Sequence, residues 1–142
     1  MNTHGQVTRS GTETVKLFMD CVNKGDMPGA LKYVDADVSV TEPASMPYGG
    51  DYSGHAGFVD LMGKISATWA KWRETPNRFA ENVGLVFREC TIRAIARSAG
   101  REVEMPFIEM FEVTGGLITV IRPHYWDPGL LQGRGSEEKA AS

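Results

Sequence analysis

Hydrophobic positions recur at helical spacing through the first half of the chain, which predicts three helices. Ser10 and Glu13 stand at capping-box spacing ahead of the first helix, and Gly25 follows it as a helix stop. Asp26 and Pro28 open the second helix as its cap and its first-turn proline. The three predicted apolar faces consist of Val15, Phe18, Met19 and Val22, then Ala30, Leu31 and Val34, and finally Phe58, Leu61, Met62, Ile65 and Trp69.

Strand-like alternation dominates the second half. Before it, "ADVSVTEP" predicts a short strand with Val38 and Val40 on one face, followed by the Gly- and Pro-rich loop "PASMPYGGDYSG". From Phe79 to Trp126 the period of two predicts three or four long strands, with turns at 98–100 and 114–116. Helices followed by meandering strands predict an α+β fold in which helices cover one face of a curved antiparallel sheet.

The composition is typical of one soluble domain. The chain has 142 residues, of which 42% are hydrophobic and 23% charged. We expect the domain to span residues 10–132, between polar and flexible tails at 1–9 and 133–142. The net charge of −3 disfavours a nucleic-acid surface, and no apolar run is long enough to cross a bilayer. Because the N-terminus lacks the apolar region of a signal peptide, the cytoplasm is the expected location.

Neither cysteine is predicted to be catalytic. Cys21 falls in the apolar pattern of the first helix, and Cys90 falls in that of a strand. Two cysteines in a chain without a secretion signal are more often buried thiols than a disulfide. We therefore interpret both cysteines as packing residues.

An acidic residue lies within the apolar face of one predicted strand. In "REVEMPFIEMFEV", Glu109 alternates with Met105, Phe107 and Phe111. If that face is buried, the pKa of Glu109 is raised, and the residue becomes a candidate acid or neutral donor. A bulge that shifts the register, or a pairing with an arginine, explains Glu109 equally well, so these interpretations stay open.

The last predicted strand, "IRPHYWDP", carries large polar and aromatic residues at alternate positions. Arg122, His124 and Trp126 share one face, and Pro123 and Tyr125 share the other. We expect the first set to face a ligand cavity between sheet and helices, where His124 is the best candidate for proton transfer near neutral pH. The alternative places the same three residues on the outer face, in a subunit interface.

Two acidic residues at strand ends extend the set of candidates. Glu42, just before Pro43, ends the first predicted strand at the mouth of the cavity, and Asp127 ends the last strand near its rim. The Gly-rich loop supplies three residues that could line or cover the site: Tyr48, Asp51 and Tyr52.

Common metal and nucleotide motifs are missing from the sequence. The chain lacks HExxH, a P-loop, GxGxxG and a nucleophile elbow. Its three histidines, His4, His55 and His124, are far apart in sequence. We therefore expect no metal site and no cofactor.

Three segments carry a family resemblance: "VNKGDMPGALKYVDADVSVTEP", "PYGGDYSGHAGFVDLM" and "FIEMFEVTGGLITVIRPHYWD". In this order and spacing the chain resembles the SnoaL-like and ketosteroid-isomerase-like branch of the nuclear-transport-factor-2-like superfamily, over roughly residues 11–132. The resemblance implies a cone-shaped α+β barrel, a curved antiparallel sheet wrapped by three N-terminal helices. It also implies a homodimer.

The resemblance suggests roles for individual residues. Ketosteroid isomerases have a proton-shuttling aspartate before a proline at the end of the first strand, where this chain has Glu42. Their protonated, oxyanion-binding aspartate is similar in position to Glu109. Their oxyanion-binding tyrosine on the first helix corresponds here to Phe18, which has no hydroxyl, so steroid isomerisation is disfavoured. The pocket positions of their last strand look like three residues here: Arg122, His124 and Trp126.

These features predict a cofactor-independent acid/base enzyme for an apolar, oxygenated metabolite, first of all a polyketide cyclase. His124 or Glu42 would abstract a proton next to a carbonyl, and Arg122 or protonated Glu109 would stabilise the enolate. Asp127 is a further acid/base candidate. The expected substrate-binding residues are Phe18, Tyr48, Trp69, Phe107, Phe111 and Trp126.

Other functions remain open at this stage. The same pocket suits an isomerase, a dehydratase or an epoxide hydrolase, the last with Glu42, Glu109 and Arg122 as a carboxylate-arginine-carboxylate set. A non-catalytic module for ligand binding or dimerisation is the alternative outside enzymes. The expected partners are a small hydrophobic substrate and a second copy of the chain, with no nucleic acid and no membrane.

Overall fold

The predicted helices and strands occur in their predicted order, and the structure adds a short strand at Gly50–Ser53, in the predicted loop, and a short helix at Pro128–Leu131. The computed structural model describes residues 9–98 and 100–131, so most of the predicted tails, and Ala99 in the predicted turn at 98–100, lie outside the described residues. The elements are α1 (Gly11–Asn23), α2 (Met27–Leu31), β1 (Val34–Glu42), β2 (Gly50–Ser53), α3 (Gly54–Thr68), β3 (Trp69–Asn82), β4 (Leu85–Ala96), β5 (Glu102–Thr114), β6 (Leu117–Tyr125) and α4 (Pro128–Leu131).

The strands form one curved, mixed sheet of six, in the order β2-β1-β6-β5-β4-β3. The α+β fold class is confirmed, but two details of the prediction were wrong. First, β1 pairs with β6 in parallel, with Val40 opposite Ile121, so the sheet is mixed and not purely antiparallel. Second, β2 and β3 are the two edge strands and do not pair with each other, so the sheet is open and does not close into a barrel.

The start of α1 is fixed by side chains from two parts of the chain. The Ser10 hydroxyl accepts a hydrogen bond from the Glu13 backbone N–H at 3.0 Å, as the predicted cap requires. The Glu81 carboxylate, on β3, accepts from the backbone N–H groups of Gly11 at 3.0 Å and Thr12 at 2.8 Å. The free N–H groups of the first turn are thereby satisfied, and α1 is tied to the sheet.

Trp69 is the first residue of β3 rather than the last residue of α3, so its predicted place on a helix face was wrong. Its backbone is extended, with φ −107° and ψ 131°, and it pairs with Ala96 of β4. Aromatic residues favour strands, and the pairing with β4 overrides the helical spacing that Trp69 shares with Ile65. The helix therefore ends one residue earlier, at Thr68.

The core lies between the inner face of the sheet and the helices α1 and α3. The predicted inward faces are confirmed for α1, β1 and β5, where Phe18, Val40 and Phe107 are each at most 3% exposed. Both cysteines are free thiols, and Cys90 is fully buried, as packing residues would be. None of the described helices has the length and hydropathy that a membrane crossing needs.

Candidate active site

A cavity of about 500 Å³ opens between the sheet and the helices α1 and α3. Its volume lies in the range of sites that take small organic molecules. Most of its wall is apolar or aromatic, while three carboxylates, from Glu42, Glu74 and Glu109, reach it from three strands. The remaining lining residues are Phe18, Met19, Val22, Asn23, Val40, Phe58, Leu61, Met62, Ile65, Trp72, Arg73, Phe107, Ile121 and Tyr125.

Glu42 and Tyr125 form a hydrogen-bonded pair in the wall of this cavity. Glu42 is the last residue of β1 and continues the buried face of Val38 and Val40, which leaves its side chain only 6% exposed. The Tyr125 hydroxyl, near the end of β6, donates to Glu42 Oε1 at 2.9 Å. One carboxylate oxygen thus has a fixed donor.

Burial sets the protonation state of Glu42. Removal from water raises the pKa of this carboxyl to about 8, the hydrogen bond from Tyr125 opposes the shift, and the negative charges of Glu109 and Glu74 add to it. The carboxyl is therefore mostly neutral at pH 7, with about a tenth ionised. A group with a pKa this close to neutral pH suits proton transfer in either direction.

A buried arginine links the other two carboxylates. Arg88 Nη2 lies 2.5 Å from Glu74 Oε1 and 2.6 Å from Glu109 Oε1, and the Arg88 side chain is 2% exposed. Trp72 Nε1 donates to the second Glu74 oxygen at 2.7 Å. Arg88 lies behind the cavity wall, so the cavity surface presents the carboxylates while the guanidinium holds them from the rear.

The cluster contains two carboxyls and one guanidinium, and each of these groups shifts the pKa of the others. Burial raises the pKa of Glu109, Arg88 opposes that shift, and Glu74 adds to it. Burial also disfavours the charge on Arg88, yet the negative charges of Glu109 and Glu74 outweigh this effect and raise the pKa of the guanidinium.

Cys90 lies beside this cluster but is not a candidate nucleophile. Arg88 Nη1 donates to Cys90 Sγ at 2.9 Å, and burial raises the pKa of the Cys90 thiol to about 12, which makes it a poor nucleophile.

The predicted orientation of the last strand was wrong. Tyr125 lines the cavity and Pro123 is buried on the same face, whereas Arg122, His124 and Trp126 are exposed on the outer face. Directly opposite residues of paired strands share a face, and Tyr125 and Pro123 lie opposite Phe107 and Glu109.

The reversal removes the cavity roles predicted for the outer-face residues. Trp126 is 78% exposed and does not touch the cavity that it was expected to line. The same holds for Arg122 and His124, so the proton transfer predicted for His124 has no geometric basis in this cavity. Asp127 is exposed beyond the end of β6.

The other predicted binding residues divide into two groups. Phe18 and Phe107 line the cavity as predicted. Phe111 is buried behind Phe18, with their ring centroids 6.3 Å apart. Trp69 Nε1 donates to Tyr48 Oη at 2.8 Å, and both side chains are buried without lining the cavity.

The two other candidates from the Gly-rich loop do not line the cavity either. Asp51 is exposed, and the Tyr52 hydroxyl donates to the Tyr48 carbonyl at 2.8 Å.

Sequence reasoning missed Trp72, Glu74, Arg88 and Tyr125. Trp72 and Glu74 lie in the part of β3 that precedes the predicted strand start at Phe79. Arg88 carried a usable signal, because it alternates with Val86, Cys90 and Ile92 on an apolar strand face. A charged residue in such a face needs a buried partner, and Glu109 supplies it from the opposite position on β5.

Within residues 9–98 and 100–131, no group of three or more His, Cys, Asp or Glu side chains is arranged to hold a metal ion. The three cavity carboxylates come from separate strands, and two of them are held by Arg88. The described site therefore consists of carboxyl, hydroxyl and guanidinium groups in an apolar cavity.

An open curved sheet that encloses a cavity with its helices defines the nuclear-transport-factor-2-like class of α+β protein, and solved structures show the same fold. An NTF2-like protein of unknown function from Burkholderia pseudomallei is 23% identical, with a TM-score of 0.80 over 88% of this chain and 97% of that one. TerC, co-crystallised with polyporic acid, is 19% identical, with a TM-score of 0.76 over 84% and 94%. A hypothetical protein with a ketosteroid isomerase-like fold from Catenulispora acidiphila, in complex with trimethylamine, is 15% identical, with a TM-score of 0.69 over 80% of this chain and 85% of that one.

Within this class, the chain belongs to the SnoaL-like family. The family model of the SnoaL-like domain matches residues 15–121, which include most of α1, all of β1, the first half of β6 and all three cavity carboxylates. None of the curated proteins matches the chain. The family includes cyclases and isomerases, and the predicted resemblance is confirmed.

Proposed function

We propose that this protein is a cofactor-independent acid/base enzyme whose proton-transfer group is Glu42, acting on an apolar, oxygenated metabolite. The observation that carries the proposal is a carboxyl with a pKa raised to about 8, buried in an apolar cavity and oriented by Tyr125. Ring closure of a polyketide-type substrate is the reaction we favour, through removal of a proton next to a carbonyl. Glu109 contributes a second carboxyl on the same cavity wall.

The shape and polarity of the cavity support such a substrate. Aromatic side chains from α1, α3, β3 and β5 surround the carboxylates, so a ligand of mixed apolar and oxygenated character finds both kinds of contact. Two proteins of the same fold were solved with small organic molecules, polyporic acid and trimethylamine. The cavity is not filled by side chains, and Glu109 pairs with Arg88 rather than Arg122, which favours an enzyme over a purely structural module.

Exchange of ketone α-protons tests this proposal without knowledge of the natural substrate. 2-Tetralone, an apolar bicyclic ketone, is incubated with the protein in D₂O, and loss of its α-proton signal is followed by NMR. We expect acceleration by the wild type and a loss of about 100-fold or more in Glu42→Gln. Glu112→Gln, an exposed change on the same sheet, is the matched control. Equal exchange by the wild type and Glu42→Gln would contradict the role of Glu42.

Epoxide hydrolysis is a second candidate, favoured by the Glu74–Arg88–Glu109 cluster. Two carboxylates that share one guanidinium can divide the roles of base and acid, one activating water and the other protonating the epoxide oxygen. Arg88 takes the place that the sequence suggested for Arg122. Hydrolysis of styrene oxide in ¹⁸O-labelled water separates the two functions, because a hydrolase incorporates solvent oxygen into the product at an accelerated rate and a cyclase does not.

We also propose that the protein is a homodimer that covers the outer face of the sheet. Three large apolar residues on or beside that face are exposed: Phe87 at 39%, Ile108 at 42% and Trp126 at 78%. Glu89 lies beside a shallow groove with Ile108 and Trp126, and Arg122 is exposed on the same face, so the face carries charges of both signs that a two-fold copy can pair.

A further inference from the structure

Tyr125 places a hydroxyl beside the base at the point where negative charge would develop on a substrate. We propose that the Tyr125 hydroxyl is the hydrogen-bond donor that stabilises the substrate's carbonyl oxygen as it becomes an enolate oxygen. The inference rests on the proposed function, and it gives a catalytic role to Tyr125, which the sequence pattern alone predicted to face away from the cavity.

Few other side chains on the described cavity wall can donate a hydrogen bond there. Asn23 and Arg73 line the cavity but are exposed residues. Trp72 Nε1 already donates to Glu74 at 2.7 Å. Glu109 can donate only when it is protonated, and its Oε1 already accepts from Arg88. Tyr125 is the remaining donor, and it is in direct contact with Glu42.

The position of the Tyr125 oxygen is fixed by packing of its ring. The ring stacks on Phe107 with centroids 5.2 Å apart and an interplanar angle of 24°. The edge of Trp72 meets it at 86°, with centroids 6.4 Å apart. Because the ring cannot shift without disturbing both contacts, the remaining freedom is rotation of the O–H bond. A donor held in place before the reaction loses little free energy to reorganisation.

The proton and the charge move together in this arrangement. The ionised Glu42 takes a proton from the α-carbon of the substrate on its second oxygen, Oε2. The C–H electron pair becomes the C=C bond of the enolate, and the carbonyl π pair moves onto oxygen. Protonated Glu42 is then a weaker acceptor than the enolate oxygen, which is two bonds from the α-carbon. The Tyr125 O–H therefore turns from Oε1 to the enolate oxygen.

Tyr125 stays protonated throughout this cycle. Burial raises the pKa of its phenol, and the negative charge of Glu42 raises it further. The hydroxyl therefore donates without transferring its proton, and Glu42 alone gains and loses one. The proton is taken up and given back by the same oxygen of Glu42 while the Tyr125 hydroxyl stays on the enolate oxygen. The proton on Glu42 can therefore return to another carbon of the same substrate.

A phenolate probe tests the donor independently of turnover. At about pH 7, 4-nitrophenol is substantially ionised while Glu42 is mostly neutral, which reproduces the charges that follow proton transfer. Nitrobenzene, which lacks the hydroxyl, is the matched probe. We expect Tyr125→Phe to bind 4-nitrophenolate about 10- to 100-fold more weakly than the wild type, and nitrobenzene equally well. Equal binding of 4-nitrophenolate by both proteins would overturn the proposal.

The pH profile of 2-tetralone exchange distinguishes catalysis from mere positioning of Glu42. In Tyr125→Phe the carboxylate loses its donor, so we expect the rising limb of the profile to move to higher pH. If Tyr125 stabilises the enolate, the plateau above that limb stays about 100-fold lower than in the wild type. A plateau restored to the wild-type rate means that Tyr125 only positions Glu42, and overturns the proposal.

The two probes also separate this inference from the proposed function. A wild type that binds nitrobenzene and 4-nitrophenolate but exchanges no tetralone protons contradicts the proposed chemistry, while the hydroxyl's contribution to phenolate binding is still measured. A wild type that binds neither probe contradicts the ligand cavity itself, and with it both proposals.

Discussion

Glu42 combines a polar group with an apolar environment at the scale of a single residue. Its neighbours along the inner face of β1, Val38 and Val40, are buried in the core, so the carboxyl continues a buried apolar face. Burial makes the charged form of the carboxyl costly, so the carboxyl favours its neutral form and its pKa is raised. This carboxyl is therefore a reactive group whose protonation state is coupled to folding.

The pKa of Glu42 makes stability depend on pH. The folded protein holds this proton up to about pH 8, whereas the unfolded chain releases it near 4.5. Folding therefore takes up a proton between these values, and stability falls as pH rises through that window. At about 1.4 kcal/mol per pKa unit, the loss attributable to Glu42 reaches up to about 5 kcal/mol. We expect Glu42→Gln to be much less sensitive to pH between 5 and 9, as measured by urea unfolding; an identical dependence in both proteins would contradict the raised pKa.

Arg88 is predicted to be essential for stability, because its removal leaves Glu74 and Glu109 buried together without a positive charge. We expect Arg88→Met to lower the free energy of unfolding by about 3–5 kcal/mol. Arg93→Met is the control on the same strand, since Arg93 is 54% exposed and pairs with Glu104 at 3.5 Å. That change should cost at most about 1 kcal/mol. Similar losses in the two variants, measured by chemical denaturation, would show that the buried cluster does not depend on its arginine.

At the scale of elements, α1 positions one wall of the cavity. Phe18, Met19 and Val22 reach the cavity from this helix, and its first turn is held by Ser10 and Glu81. We expect Ser10→Ala to lower the unfolding free energy by about 1 kcal/mol, because one backbone N–H loses its acceptor. Ser66→Ala, at an exposed position in the last turn of α3, is the control and should change stability little. A loss no larger than that of the control would mean that Glu81 alone holds the helix.

A single extra residue explains why the sequence misled about the last strand. The turn at Gly115–Gly116 sets Thr114 opposite Leu117, and a regular hairpin continued from there would set His124 opposite Phe107. The register shifts by one residue near Glu112, so Tyr125 takes that position instead. A shift of one residue turns every later side chain to the other face. Alternation within "IRPHYWDP" was correctly predicted, but its phase depends on this bulge, which leaves no clear mark in the sequence.

The whole molecule was predictable where local pattern decides and unpredictable where distant strands meet. Apolar periodicity gave the helices, the long strands and the α+β class, because each reflects burial of one face of one element. The position of Glu42 before Pro43 correctly marked a cavity carboxyl. The Glu74–Arg88–Glu109 cluster joins three strands, and the parallel pairing of β1 with β6 joins distant parts of the chain. Such contacts depend on register and sheet order, which periodicity does not encode.

Dimerisation belongs to the same scale, and it is tested by mass in solution. We expect multi-angle light scattering to give twice the 15.6 kDa chain mass for the wild type. Trp126→Glu should shift the protein toward monomer, because it places a charge beside Ile108 in the apolar groove. Val83→Glu changes another exposed apolar residue, in the turn between β3 and β4, and should leave the mass unchanged. A monomeric wild type would refute the second copy as the occupant of this face.

Glu42 is a buried acid poised for proton transfer, and titration of its own carboxyl is the most direct test of this role. The side-chain carboxyl is observed by ¹³C NMR in protein labelled at glutamate, and its signal is assigned by its loss in Glu42→Gln. We expect a pKa of about 8 for this carboxyl. A carboxyl that titrates near its ordinary value of 4.5 would show that Glu42 is not the proton-transfer group.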